Sequence, residues 1–246
     1  MMTFTEQQRQ AFGLSGQMLT EYQQGDRQFP VHHDMLGAFL QLQADAAKAG
    51  FSLALVSSHR TFQQQLAIWC AKAAGKRRLY DRQGQALDYQ RLDKQQLLQA
   101  ILRWSALPGL SRHHWGCDID VFDASAMQID DVRLVPAEVE EGGPCVAMHK
   151  WLTEKIDSNC SHGFFRPYQN NACQVAEEKW HLSYQPVAGI YEQSLAVDGM
   201  SADNLAQLWQ EHDLPLLDAI KPQIQSIIRD YAILNRERLP GWLNTG

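Results

Sequence analysis

Ser111-Arg112-His113-His114-Trp115-Gly116-Cys117-Asp118-Ile119-Asp120 is the stretch on which the reading of this chain turns. Pro108-Gly109 breaks the chain just ahead of it. From Cys117 to Phe122 the residues alternate with the period of a strand. A His in a turn, a Gly at which the chain can bend and an Asp on a strand bring two ligating side chains together. His113 offers a neutral imidazole nitrogen and Asp120 a carboxylate oxygen, a pair that suits a borderline ion such as zinc. Asp118 lies two residues before Asp120 on the same strand, so it faces the same side.

Two other clusters complete the chemistry. Downstream, Glu178-Lys179-Trp180-His181 opens a short strand over Trp180–Tyr184. His181 supplies a third ligand, and Glu178 a carboxylate three residues before it. Two His and one Asp leave a fourth position for water, the catalytic form of zinc coordination. Zinc lowers the pKa of bound water to about 7, and Glu178 is then the candidate general base. Upstream, Ser57-Ser58-His59-Arg60-Thr61-Phe62-Gln63-Gln64-Gln65 sits where an apolar strand, Phe51–Val56, hands over to a helix, 61–74. Arg60 there can grip a carboxylate through two nitrogens. Each cluster alone is weak, because a lone His or Asp in a loop is more often a surface residue. His32, His33, His149, His162 and His212 are read as structural or solvated for that reason. The weight lies in three clusters with interlocking roles in one chain.

The rest of the chain is organised around these clusters. Residues 34–49 have Leu36, Phe39, Leu40 and Ala47 at helical spacing, with Gly50 as the stop. Phe62, Leu66, Trp69, Cys70 and Ala73 form one face of the 61–74 helix. Asp93-x-x-Gln96 is a capping box opening a helix through Leu107. Residues 124–144 read as a loop or hairpin excursion, Ala147–Cys160 as a helix and Gly163–Tyr168 as a strand. Two helices follow, Ser201–Asp213 and Pro215–Asn235. The second carries Leu217, Ile220, Ile224, Ile227, Tyr231 and Leu234 as an apolar stripe that must be covered. Short strands and helices without regular alternation give an α+β class. The expected division is a domain over 1–196, with its core at about 30–185, and a helical extension over 197–246 packed on it.

Length and composition bound the possibilities. A chain of 246 residues with 45% hydrophobic and 20% charged residues buries a sizeable core without staples. The formal net charge of -6 argues against a nucleic-acid partner, and the one compact basic run, Lys76-Arg77-Arg78, is too short to reverse that. No stretch reaches the roughly 20 apolar residues of a membrane helix, and the N-terminus lacks the pattern of a secretory signal. Five scattered cysteines without a CxxC pair read as reduced thiols. The expected location is the cytoplasm.

Ser-x-His-x-x-Gly-x-x-x-Asp followed by Glu-x-Trp-His resembles the zinc peptidases related to D-alanyl-D-alanine carboxypeptidases, the VanY/VanX group, which share a fold with the hedgehog N-terminal domain. Ser-x-x-Arg-Thr-x-x-x-Gln at 57–65 resembles the VanY branch in particular, as does His162-Gly163-Phe164-Phe165-Arg166-Pro167-Tyr168. The resemblance spans roughly residues 30–185. It implies a small antiparallel sheet carrying one zinc ion on one face, with flanking helices. It also implies His113, Asp120 and His181 as ligands and Glu178 as catalytic base. Arg60, Gln65 and Ser111 then contact the terminal carboxylate or the developing oxyanion, and Trp180 is the aromatic beside the last ligand. The implied substrate is a small peptide of the cell wall or its precursors, from which a C-terminal D-alanine is removed by D,D- or L,D-cleavage.

One position departs from that pattern. The group often has Ala two residues before the Asp ligand, where this chain has Asp118. Asp118 either holds a hydrogen bond behind the ligands, narrows the pocket as a substrate contact, or closes the site as a fourth ligand. Two other functions fit the same fold: an endopeptidase or lysin acting on cross-links, and a zinc-containing binding module without catalysis. The presence of Glu178 favours an enzyme. The lack of a wall-binding repeat or export signal weighs against a lysin.

Overall fold

The structure is a computed structural model that describes residues 4–82, 84–196 and 202–244. A short helix, α1 (Glu6–Ala11), opens the chain with Thr5 as its cap. Strands β1 (Leu19–Gln24) and β2 (Arg27–His32) then form an antiparallel hairpin. Its two-residue connection is Gly25-Asp26, and Gly25 takes a positive φ of 58°. Gly at such a turn costs no steric strain.

Helix α2 (His33–Lys48) follows and buries Met35, Phe39, Leu42 and Ala46. Leu40, expected on the inner face, is 48% exposed. The buried stripe runs one position to the side of the one drawn through Leu36 and Leu40. Strand β3 (Leu53–Ser57) leads into α3 (Phe62–Ala73), whose start is fixed by a reciprocal cap between Thr61 and Gln64. Helix α4 (Lys94–Leu102) begins at the Asp93–Gln96 capping box but ends five residues before Leu107. The 3-10 turn over Arg112–Trp115 precedes β4 (Asp118–Asp123), which is buried along its whole length. The 124–144 excursion contains a 3-10 turn at Ile129–Asp131 and the short helix α5 (Pro136–Val139). Then come α6 (Val146–Asp157), β5 (Phe164–Phe165), β6 (His181–Tyr184) and α7 (Gln185–Ala196).

The main sheet is antiparallel, in the order β3-β4-β6-β5. Together with the helices around it, this is the α+β class read from the sequence. Its register decides the site. Ser57 on β3, Asp120 on β4 and His181 on β6 are direct cross-strand neighbours, so they form one row. Asp118 pairs with Ser183 in the next same-face row.

The C-terminal segment holds α8 (Ala202–Glu211), α9 (Leu217–Ile220) and α10 (Ile224–Ile227). The single helix expected over Pro215–Asn235 is broken. Pro222 lacks an amide hydrogen and its ring clashes with the preceding turn, and a 3-10 turn spans Lys221–Gln223 there. A π-turn follows at Ile228–Ala232, then 3-10 turns at Arg236–Arg238 and Gly241–Asn244. Leu205, Leu208, Trp209, Ile220 and Ile227 nevertheless join the same apolar cluster as Phe62, Trp69 and Leu98. Trp209 Nε1 donates to the Pro108 carbonyl at 2.8 Å, and Trp69 Nε1 to the Pro215 carbonyl at 3.0 Å. Residues 197–201, where the two expected parts meet, lie outside the described residues.

Candidate metal centre and its cleft

His113, Asp120 and His181 converge, each offering one ligand atom within 4.8 Å of the others. Gly116 makes the turn between the first two possible. Its φ is 71°, and a Cβ there would lie 2.5 Å from Leu19 Cδ2 and 3.0 Å from the His32 amide. The ring nitrogens are sorted by their outer partners. His113 Nδ1 sits 2.9 Å from the Ser58 carbonyl. A carbonyl only accepts, so Nδ1 carries the hydrogen and Nε2 faces Asp120 Oδ2 at 3.4 Å. His181 Nε2 lies 3.0 Å from Asp118 Oδ1, leaving Nδ1 to face Asp120 Oδ1 at 3.2 Å and Glu178 Oε2 at 3.6 Å. The Ser57 hydroxyl donates to Asp120 Oδ2. Each of the three thus has a partner behind it, an arrangement that fixes tautomer and ring angle in metal sites.

His181 Nδ1 and Asp120 Oδ1 are both buried without a hydrogen-bond partner, despite their 3.2 Å separation. They approach but are not aligned as donor and acceptor. Unpaired buried polar atoms are costly, and a cation between them satisfies both. The donor set, two imidazoles and one carboxylate, is one that zinc takes.

Electrostatics agree with that geometry. Burial takes His113 down to about 3, keeping its imidazole neutral. Burial works against a charge on His181, yet the flanking Asp118 and Asp120 carboxylates lift it to about 9. The two acids ask for positive charge at this point, which a proton or a metal ion can supply. Desolvation raises Glu178 to about 7, opposed by His181.

The structure selects among the readings of Asp118. Its side chain has zero exposure and lies on the far side of the His181 ring. It accepts from Arg112 Nε at 2.7 Å and from Ser183 Oγ at 3.0 Å. Asp118 therefore neither lines the cleft as a substrate contact nor reaches the face where the three ligand atoms meet. Arg112 is itself 2% exposed. It donates to Glu192 Oε1 on α7 at 2.6 Å and to Ser183 Oγ at 2.7 Å, and its guanidinium lies 4.5 Å over the Trp115 ring. Glu192 also pairs with Arg236 of the C-terminal segment. Burial alone would lower Arg112, but Asp118 and Glu192 hold it above its ordinary value.

The ligand row opens on a cleft of about 770 Å³ lined by Arg60, Ser111, Tyr168, Glu178 and Trp180 among others. Gln65 is fully buried behind Arg60 and does not line the cleft. It accepts from Arg60 Nη1 at 2.7 Å and donates to the Ala106 carbonyl at 2.7 Å, holding the guanidinium in place. His114 secures the Arg60 backbone carbonyl at 2.6 Å. Trp180 is 3% exposed and packs with Ala54, Phe122 and Val139. Two cleft residues were given no role at the site in the sequence reading, Tyr168 of the 162–168 stretch and Lys72. Tyr168 places its ring 4.8 Å from that of His181, and Lys72 enters from α3. A second possible ligand group, His32-His33-Asp34, is half exposed, and His32 Nδ1 already caps α2 by accepting from the Asp34 amide.

A family model described as VanY, D-alanyl-D-alanine carboxypeptidase, matches residues 28–187. The chain belongs to that family. Two uncharacterized proteins of Haemophilus influenzae are similar to this VanY-family chain. One is 53% identical over 70 residues, covering 28% of the chain and 48% of that protein. The other is 31% identical over 126 residues, covering 50% of the chain and 90% of that protein. The VanY-family chain thus spans about half the length of the first. Among solved structures, VanYB in complex with D-alanine-D-alanine aligns with a TM-score of 0.49 at 20% identity, over 72% of this chain and 84% of that one. The LdcB LD-carboxypeptidase aligns with a TM-score of 0.49 at 19% identity, over 89% and 96%. A VanY D,D-pentapeptidase variant in complex with Zn(II) aligns with a TM-score of 0.46 at 22% identity, over 73% and 88%.

Proposed function

We propose that this VanY-family chain is a zinc-dependent carboxypeptidase that releases C-terminal D-alanine from peptidoglycan stem peptides. The observation that supports it most is the convergence of His113 Nε2, Asp120 and His181 Nδ1 beside the half-buried Glu178. Zinc held by those three residues would polarise the scissile carbonyl and lower the pKa of water.

The chain's own residues supply the rest. Glu178 is the base that takes a proton from the attacking water and later gives it to the leaving amine, and burial puts its carboxyl near neutrality for both tasks. Arg60, clamped by Gln65, takes the substrate's terminal carboxylate or the oxyanion that develops. Ser111 and Tyr168 line the same wall. Asp118 acts as a positioning residue: its carboxylate on His181 Nε2 keeps Nδ1 free to ligate.

The test is incubation of the zinc-loaded protein with defined penta-, tetra- and tripeptide stems, read by mass spectrometry. Release of one D-alanine from the penta- or the tetrapeptide is expected, with the tripeptide unchanged, and the stem that loses it assigns D,D- or L,D-cleavage. No release from any stem contradicts the proposal.

A further inference from the structure

Glu178 and His181 are brought together by a turn, not by one face of a helix. The His181 amide donates to the Glu178 carbonyl at 3.1 Å, with Lys179 and Trp180 at the corners. The common forms of such a turn differ by a flip of the middle peptide, so the direction of the Lys179 carbonyl has to be held. On one side, the Trp180 carbonyl accepts from the Val121 amide of β4 at 3.0 Å. On the other, the Lys179 carbonyl accepts from Arg166 Nε at 2.8 Å.

Arg166 belongs to the His162–Tyr168 stretch and follows directly on β5, whose Phe165 pairs with Ser183 of β6. It is 4% exposed and does not line the cleft. It forms no ion pair within 4 Å among the described residues, and Glu177 and Asp157 act on it only from farther off. Burial lowers its guanidinium to about 10, so it stays charged at neutral pH. Its remaining nitrogens turn to α6. Nη1 donates to Thr153 Oγ1 at 2.7 Å and Nη2 to the His149 carbonyl at 3.1 Å. A buried cation without a paired acid is unfavourable. What this one gains is three acceptors in three directions, which a planar guanidinium serves and a lysine ammonium does not.

We propose that Arg166 is a positioning residue for the Glu178–His181 turn: it ties the Lys179 carbonyl to α6 and so sets the direction of both the base and the third ligand. This rests on the zinc-peptidase reading and adds to it a residue that lies outside the cleft.

Arg166→Met and Arg166→Lys are compared with the unaltered protein, and Thr153→Val serves as a milder cut at an exposed position. Each is measured for unfolding of the metal-free protein in denaturant, for zinc affinity in a chelator competition, and for kcat and KM of D-alanine release. Arg166→Met should weaken zinc binding about 10–100-fold, the usual effect of removing a group behind a ligand. Its kcat should fall about 100-fold, as for a small misplacement of reacting groups, with KM unchanged because Arg60 is untouched. Arg166→Lys should restore only part of either loss. Thr153→Val keeps the Lys179 bond and should weaken zinc binding only about threefold, the effect of one lost hydrogen bond. Should Arg166→Met fail to fold, Arg166→Lys and Thr153→Val decide the matter. Folded variants with lower stability but unaltered zinc affinity and kcat would make Arg166 a packing residue and overturn the proposal. A higher KM at constant kcat would overturn it as well. If the unaltered protein binds zinc and releases no D-alanine, the peptidase reading fails, while the zinc affinities still decide on Arg166.

Discussion

Acidic and basic side chains are arranged in opposite ways on the two sides of the His181 ring. Behind it, Asp118, Arg112 and Glu192 are bonded in series at 2.6–2.7 Å and shielded from water. In front of it, the cations of the cleft form no ion pair within 4 Å among the described residues, although Arg60 and Lys72 feel the Glu178 carboxylate across it. Fully buried charges persist only when paired, so the rear group is a structural brace. Charges left unpaired in an open cleft persist because water solvates them, and they remain available to a ligand. The imidazole belongs to both regions: Nε2 is fixed by the brace, and Nδ1 faces the chemistry.

Substitutions in the two regions should therefore separate activity from stability. In front, Glu178→Gln should lower kcat by about 10²–10⁴-fold, the usual contribution of a general base, with zinc content unchanged in elemental analysis. Loss of zinc along with activity would place Glu178 in the ligand set instead. Behind, Asp118→Ala strands Arg112 without one of its two acids and should cost about 3–5 kcal/mol in denaturant unfolding of the metal-free protein. The gentler Asp118→Asn should weaken zinc affinity about 10–100-fold in a chelator competition, since a neutral amide holds the His181 tautomer less firmly. Unchanged affinity would reduce Asp118 to packing. Glu192→Gln should cost less, about 1–3 kcal/mol, because Arg112 keeps Asp118 and Ser183. The smallest effect is expected for Arg236→Gln. That side chain is 37% exposed, and its pair with Glu192 should be worth under about 1 kcal/mol. A larger loss would mean that the C-terminal segment braces the site more tightly than its exposure implies.

What the sequence disclosed divides along the same line. His113, Asp120, Glu178 and His181 were legible because turn, strand and short spacing place them within a few residues of each other in two motifs. The caps at Thr61 and Asp93 were legible for the same local reason. The brace was not, because Arg112 and Glu192 are 80 residues apart and meet only through packing of α7 on the 3-10 turn. Same-face geometry did place Asp118 beside Asp120, but strand register alone put His181 between Asp118 and the cleft. Gln65 carried a motif position, and tertiary packing buries it and sets it as a clamp on Arg60. The run Lys76-Arg77-Arg78 was read only against a global charge of -6, and that Arg77 and Arg78 line the cleft is a matter of tertiary packing. The C-terminal stripe had helical spacing throughout, and Pro222 decided against one continuous helix.

The central claim is that His113, Asp120 and His181 hold one zinc ion required for D-alanine release. It is tested most directly by measuring metal stoichiometry and D-alanine release on the same sample before chelation, after it and after zinc is restored. The account predicts one zinc per chain, loss of release with its removal and recovery with its return. Full release by the zinc-free protein, or a chain that takes up no zinc, would contradict it.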